Sequence, residues 1–186
     1  GEVDTRYYTD LLTDVSLALR YCLTGSLNTQ RGKYRYVTSF DEMVARVEAK
    51  YKDAGKPVEV MTDTETVGVD PYRLPEKDHP GAYIVTIQTT DRIGFGDAIA
   101  FESKEEEESF FHSPEKREQI DWLLNTPKIS HRGANFKFDL GWFWVRGKKL
   151  SCSNFRFDTT LVGSLLDENR SNALDVHVKL YALRGA

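Results

Sequence analysis

The chain has 186 residues, 40% of them hydrophobic and 29% charged, with a formal net charge of -4. This balance is typical of one folded domain, so it excludes wholesale disorder, and the net charge argues against a general polyanion binder. The chain holds no apolar run of about 18 residues, and its two cysteines and four histidines lack zinc-site spacings, which predicts neither a membrane partner nor a zinc site.

Hydrophobic periodicity predicts two helices and one strand in the first part of the chain. An apolar stripe at helical spacing runs from Leu11 to Cys22, and a polar, turn-rich stretch follows it. In chain order the expected elements are a helix at 9–24, a linker at 25–33, a strand at 34–39 and a helix from Phe40 to Gly55. We therefore divide the chain into an N-terminal helix and linker, residues 1–33, and a domain over residues 34–186.

Three β-rich runs follow, and after them helices alternate with strands. The expected strands lie at 58–66, 82–90, 93–101, 128–132 and 154–160, and helices are expected to begin near residues 113, 135, 160 and 172. The run Glu105–Glu108 is predicted to be an exposed loop. The order β-β-β-α-β-α-β-α predicts an α/β, RNase H-like fold with a mixed sheet, preceded by an N-terminal helical extension.

Two carboxylates, Asp63 and Glu65, stand two positions apart on the first strand after residue 57. Alternate residues of a strand point to the same face, so these like charges repel each other unless a cation lies between them. Mg²⁺ prefers oxygen ligands of this kind, and the strand ends here before a long loop, where open sheets commonly bind ligands. The other interpretation is an exposed strand face with two solvated acids.

A second polar pair, Asn135 and Asp139, is four residues apart and shares one face of a predicted helix. Asp139 would add a third carboxylate and complete much of a site for two divalent ions, Mg²⁺ or Mn²⁺, an arrangement that suits phosphodiester hydrolysis. Alternatively, Asn135 caps the helix, and Asp139 is solvated or pairs with Arg146. The aromatic residues between them are predicted to pack in the core.

Positive charge is concentrated in the same part of the chain. Between residues 128 and 149 there are six basic residues and one acid, Asp139. A local basic surface beside an acidic metal site is typical of a nucleic-acid cleft. Arg132, Lys137 and Arg146 are therefore candidate contacts to the phosphate backbone.

Three local patterns resemble a known family. MTDTET resembles a first exonuclease motif, NFKFD resembles a second, and FDTTLVGSLLDENRS followed by LDVHVKLYAL resembles the stretch beyond it. The region from about 34 to 183 is thereby similar to the 3′–5′ exonuclease domain of family-A DNA polymerases of bacterial or phage type, in the DEDD exonuclease superfamily. Each motif is weak alone, and the three together in this order are specific.

This resemblance implies a function and a set of site residues. It implies Asp63, Glu65 and Asp139 as catalytic ligands of two Mg²⁺ or Mn²⁺ ions, Asn135 as an amide that contacts substrate, and Val69 as an apolar contact to the terminal bases. The implied activity is proofreading, in which terminal nucleotides are removed from a single-stranded 3′ end of DNA. The implied location is the cytoplasm of a bacterial or phage-infected cell.

The sequence departs from that family at the third motif, YxxxD or HxxxxD, which carries a fourth aspartate. No Tyr or His of the chain has an Asp at the required offset. We therefore expect a piece that ends before the third motif, with a polymerase module to follow it and weak activity by itself. Asp158 is predicted instead to cap the helix that it precedes.

Two other interpretations stay open. The chain is also similar to stand-alone exonucleases of the RNase D or Werner type, which act on RNA or DNA. An exonuclease-like domain that lacks one metal ligand could also serve only as a binding or scaffolding module. Replacing Asp63 separates the enzyme from the scaffold, because only an enzyme loses cleavage.

Overall fold

The computed structural model describes residues 33–76 and 81–166, the last without its side chain. The elements in chain order are β1 (Lys33–Tyr36), α1 (Asp41–Ala54), β2 (Val58–Val67), β3 (Tyr83–Thr90), β4 (Phe95–Ala100), α2 (Lys104–His112), α3 (Pro114–Asn125), β5 (Ile129–Gly133), α4 (Phe136–Arg146), β6 (Phe155–Asp158) and α5 (Thr159–Leu166). The predicted first and last helices lie outside the described residues, and the predicted domain boundary stays a prediction. No helix in the described ranges is long and apolar enough to cross a membrane.

The six strands form one mixed sheet in the order β1-β4-β3-β2-β5-β6. β3 runs antiparallel to both of its neighbours, whereas β1 pairs with β4, β2 with β5, and β5 with β6 in the parallel sense. A short turn joins the antiparallel strands β3 and β4, and a longer loop joins β2 to β3, whereas helices precede the parallel strands β5 and β6. The predicted α/β, RNase H-like mixed sheet is confirmed. This sheet and α1 to α4 lie in one compact unit, Gly32–Thr159.

One hydrophobic core joins α1 to α4 to a single face of the sheet. The alternation of β2 turns Val60 inward, and the paired strands β3 and β4 add Ile87 and Ile99 to the same face. The helices bury Met43, Val47, Phe111, Ile120, Leu123, Leu124, Phe136, Trp142 and Phe143 against it. The opposite face of β2 carries the exposed residues Met61, Asp63 and Glu65, so the helices leave the carboxylates of this strand accessible.

The predicted loop at Glu105–Glu108 is wrong, because these residues lie in α2. Two helices therefore separate β4 from β5, where the sequence order predicts one. Ser103 begins α2 by accepting a hydrogen bond from the Glu106 N–H, which satisfies one of the free amides of the first turn. Glu107 is fully buried, and its carboxylate accepts hydrogen bonds from the Arg146 guanidinium and from Ile84 N at 3.3 Å. Its partner is 39 residues away in sequence, so local charge density could not show that this glutamate faces inward.

Candidate active site

Asp63 and Glu65 project from the exposed face of β2, as the alternation of the strand predicts. Their neighbours Thr62 and Thr64 are buried on the other face. In the ladder with β3, Asp63 is opposite Gln88 and Glu65 is opposite Thr86, and the register shifts directly after Glu65. That irregularity interrupts regular pairing beside the second carboxylate, and pairing resumes at Thr66 and Val67. β2 therefore presents two acids side by side near the point where it passes into the following loop.

The other edge of β2 is open at the level of these acids. β5 pairs with β2 only from Val58 to Met61, because β5 ends at Gly133 and the chain turns into α4. An N–H on this edge beyond Met61 lacks a ladder partner and must be satisfied in another way. Asp139, in the first turn of α4, supplies the partner for Thr64. Its Oδ1 accepts from Thr64 N at 2.9 Å and from Thr64 Oγ1 at 2.6 Å.

We call the three carboxylates Asp63, Glu65 and Asp139 the acidic edge. Asp63 lies within electrostatic reach of both Glu65 and Asp139. Asp139 is only 3% exposed. Burial raises its pKa to about 6, the hydrogen bonds from Thr64 oppose part of this rise, and the charge of Asp63 adds to it. Desolvation and the charge of Glu65 likewise raise the pKa of Asp63. The charges of Asp139 and Asp63 are therefore costly until a cation arrives.

The acidic edge fits a hard divalent cation in its donor chemistry, since all its donors are carboxylate oxygens. Asp63 and Glu65 would hold the ion together, and Asp139 would approach through Oδ2, because both of its hydrogen bonds to the described residues fall on Oδ1. The described residues contain no group of three or more His, Cys, Asp or Glu close enough to hold a metal ion. The third carboxylate thus faces Thr64 and has not joined the other two around one point.

Three of the predicted nucleic-acid contacts are accessible beside the acidic edge. Val69 is 83% exposed in the loop that follows β2. Asn135 and Lys137 are exposed at the start of α4, and Lys137 forms no ion pair with any described residue. Asn135 occupies the N-cap position with φ 55° and ψ 38°, and its side chain makes no capping hydrogen bond with the described part of the chain. The side-chain amide of Asn135 therefore stays available to a ligand.

The remaining predicted contacts, Arg132 and Arg146, are engaged by acids. Arg146 is held by Glu107, with Nε to Oε1 at 2.9 Å and Nη2 to Oε2 at 2.5 Å, and also reaches Glu108. A guanidinium that binds a buried carboxylate through two N–H groups is part of the fold. The predicted role of Arg146 as a nucleic-acid contact and its alternative pairing with Asp139 are therefore withdrawn. Arg132 pairs with the exposed Glu59, and an exposed pair of this kind is weak enough to exchange for a phosphate.

Sequence reasoning missed the roles of Thr64 and Asp158. Thr64 lies between the two motif acids, and its hydroxyl and amide hold Asp139. The prediction that Asp158 caps the helix it precedes misses its contacts to α4, because its carboxylate accepts from Asn135 N at 3.0 Å and Phe136 N at 2.9 Å. The threonine was visible inside the first motif, but its partner lies 75 residues away in sequence. Neither contact has a local signal.

Comparisons with known proteins identify the fold. No known protein family and no curated protein matches the chain. Among solved structures it is similar to Brucella melitensis NrnC with bound Mg²⁺, with a TM-score of 0.51 and 18% identity over 82% of this chain and 61% of that one. It is also similar to Escherichia coli RNase D, an exoribonuclease involved in structured RNA processing, with a TM-score of 0.53 and 17% identity over 81% of this chain and 33% of that one.

A third similar structure is the catalytic core of RRP6 from Trypanosoma brucei, with a TM-score of 0.55 and 14% identity over 84% of this chain and 36% of that one. The chain spans about three fifths of the length of NrnC and about a third of the other two. Identities this low establish a shared fold and nothing finer. The chain therefore shares its RNase H-like fold with these three structures.

Proposed function

We propose that the chain carries the catalytic face of a divalent-cation-dependent 3′–5′ exonuclease that resembles RNase D and NrnC. The observation that carries this proposal is the acidic edge, where Asp139 reaches the open edge of β2 beside Asp63 and has its pKa raised to about 6. Buried carboxylates without a compensating cation are costly, and they are typical of sites that bind one. The likeness to a nuclease solved with bound Mg²⁺ supports this choice of cation.

Each residue of the site has a proposed role. Asp63 and Glu65 would hold the divalent cations from the exposed face of β2, and Asp139 would join them from the edge of the strand. When bound, two such ions lower the pKa of a water and stabilise the leaving oxygen of the phosphodiester. Asn135 and Lys137 bind the terminal nucleotide and its phosphate, and Val69 packs against the terminal base. Thr64 holds Asp139 in place through its N–H and hydroxyl.

The proposed partner is a single-stranded 3′ end, and two settings for it remain. The similar structures include an exoribonuclease, and this favours an RNase D-like enzyme over the proofreading domain of a DNA polymerase. The proofreading setting, with a polymerase module on the C-terminal side, keeps the resemblance of MTDTET and NFKFD as its support. A scaffold without catalysis would have no use for an uncompensated acidic edge.

A cleavage assay on matched strands tests the proposal. The chain is incubated with 5′-labelled single-stranded RNA and DNA of one sequence, with Mg²⁺, with Mn²⁺ or with chelator. We expect stepwise shortening from the 3′ end that requires the cation, and faster shortening of RNA. Faster shortening of DNA would restore the proofreading interpretation. No cation-dependent shortening of either strand, together with no binding of Mn²⁺ by the chain, would overturn the nuclease proposal.

A further inference from the structure

We propose that Asp158 is a positioning residue of this site, which fixes the start of α4 and thereby holds Asp139 against β2. The inference rests on the proposed function for its effect on cleavage, but its structural part is independent of that function. Asp158 ends β6 and is 6% exposed. It has no place among the predicted ligands of the cation.

The first turn of α4 lacks an ordinary local cap. Amides at the start of a helix have no partner inside the helix, and the side chain of the N-cap residue commonly accepts from one of them. Asn135 occupies that position in the left-handed region, φ 55°, and its side chain makes no such bond with the described residues. The left-handed backbone is one that Asn tolerates better than most residues. The capping side chain must therefore come from elsewhere.

Asp158 supplies that cap from the neighbouring strand. Its Oδ1 accepts from Asn135 N at 3.0 Å and its Oδ2 accepts from Phe136 N at 2.9 Å. Both carboxylate oxygens are thus used on two consecutive amides of one helix start. A negative charge at the N-terminus of a helix is also stabilised by the helix dipole. The two hydrogen bonds join residues that are 23 and 22 positions apart in sequence.

Close packing makes this reach geometrically available. Asp158 is paired in register with Gly133, the last residue of β5. A Cβ added at Gly133 would lie 2.7 Å from Cβ of Phe136, so only glycine lets the first turn of α4 come this near to the strand end. The start of α4 is therefore enclosed between the end of β5 and the carboxylate of Asp158.

The same helix start carries the residues of the site. Asp139 lies one turn after Phe136, where it accepts both hydrogen bonds from Thr64. Two carboxylates thus hold the start of α4. Asp158 accepts from the amides of Asn135 and Phe136, and Asp139, which belongs to α4, accepts from Thr64 of β2. Loss of the first leaves the buried amide of Phe136 unsatisfied, and the helix start is free to move relative to β2. A shift of about 1 Å in a catalytic carboxylate is enough to slow a reaction roughly 100-fold.

The test compares Asp158→Ala and Asp158→Asn with Val47→Ala, a core variant in α1 that loses stability without touching this site. We expect Asp158→Ala to lower kcat at least about tenfold with KM changed less than about threefold, since Asn135 and Lys137 keep their side chains. Asp158→Asn should lie between Asp158→Ala and wild type, because only one of its two terminal side-chain atoms, the oxygen, can accept a hydrogen bond. If Asp158→Ala does not fold, the comparison of Asp158→Asn with wild type and with Val47→Ala still tests the inference.

A second readout separates this inference from the proposed function. Hydrogen exchange of the Thr64 amide, which Asp139 protects, should be faster in both Asp158 variants than in Val47→Ala at equal global stability. If wild type does not cleave but Thr64 exchange responds in this way, the nuclease proposal fails and the positioning role stands. If Thr64 exchange and kcat in the Asp158 variants equal those of Val47→Ala, the positioning role is overturned.

Discussion

Two regions of this molecule that each contain buried aspartates have opposite electrostatics. The first is the acidic edge, where Asp139 has its pKa raised to about 6. The second lies at the β3–β4 hairpin, and we call it the hairpin ion cluster. It consists of Asp91 and Asp97 with Arg35, Arg46 and Lys50.

Partners explain the difference, since Asp139, Asp91 and Asp97 are all buried. In the hairpin ion cluster, Arg46 Nη2 lies 3.1 Å from Asp91 Oδ1 and 2.9 Å from Asp97 Oδ2. Lys50 Nζ lies 2.7 Å from Asp91 Oδ2. Burial acts against the charge of Asp91, but the hydrogen bonds and charges of Arg46 and Lys50 outweigh it and lower its pKa below the usual value. At the acidic edge, Asp139 accepts hydrogen bonds from Thr64 and pairs with no cation of the described residues.

The comparison separates a structural carboxylate from a candidate ligand. A buried acid whose cations are provided by the chain stabilises the fold and has no charge left for a ligand. A buried acid that lacks them is destabilised until an external cation binds. Changes in the two groups should therefore affect different measurements, with catalysis responding at the acidic edge and stability at the hairpin ion cluster.

Asp63→Ala is expected to have the largest effect on cleavage. Loss of the central ligand should lower kcat at least about 1000-fold, because cation stabilisation of the transition state is worth several kcal/mol. The free energy of unfolding should change little, since the substitution also removes repulsion with Glu65 and Asp139. Cleavage rates and Mn²⁺ binding measure the effect. Asp53→Ala, at an exposed acid in α1, is the control, and equal rates in the two variants would remove Asp63 from the mechanism.

Arg46→Ala should be the strongest change in the hairpin ion cluster. The side chains of Asp91 and Asp97 are 0% and 2% exposed, so they would stay buried with one cation fewer. Breaking a buried pair in this way commonly costs about 3 kcal/mol of unfolding free energy. Urea denaturation measures it against Lys52→Ala at an exposed position of the same helix. A loss no greater than that of Lys52→Ala would mean that solvent, rather than Arg46, compensates these aspartates.

Asp139→Asn should raise the stability of the cation-free protein, with a clear dependence on pH. The pKa of Asp139 in the folded state, about 6, lies above the usual value of 3.8. Its contribution to stability is therefore present below about pH 4 and is lost as pH rises through about 6. The variant should exceed wild type at pH 7 and approach it near pH 4, because the amide oxygen still accepts from Thr64.

Thermal denaturation with chelator at both pH values measures this difference. Mg²⁺ should reverse the order at pH 7, since only wild type gains from the cation. Cation binding by wild type should weaken as pH falls below about 6, because a proton then competes for Asp139. Equal stability of the two proteins at pH 7 would show that the carboxylate is already compensated within the chain.

Glu59→Gln should have the smallest effect, and it tests whether Arg132 contacts nucleic acid. The Arg132–Glu59 pair is exposed, so its loss should change the free energy of unfolding by less than about 1 kcal/mol. Arg132 would then be free for a phosphate, and single-strand affinity should rise about twofold to fivefold. Glu115→Gln, at an exposed acid of α3, controls for net charge. An affinity equal to that control would exclude Arg132 from the nucleic-acid surface.

Local periodicity was sufficient for most elements and for half of the site. The strands at β2, β3 and β4 were predicted to within two residues, because alternation and turn residues are local signals. The shared face of Asp63 and Glu65 follows from the same alternation. The helix at α2 was missed because a run of glutamates has the same composition in a loop and on a helix surface, and its buried member depends on Arg146.

The sequence by itself determined the order of the described strands, the order of the described helices other than α2, the class of fold and the two acids that share one face of β2. Only the tertiary structure decided which charges are free. In the folded chain Arg146 pairs with Glu107, Asp139 accepts a hydrogen bond from Thr64, and Asp158 accepts one from an amide at the start of α4. Each of these contacts joins residues at least 22 positions apart in sequence. The free energy of a charge depends on what surrounds it in space, and chain-local patterns do not carry that information.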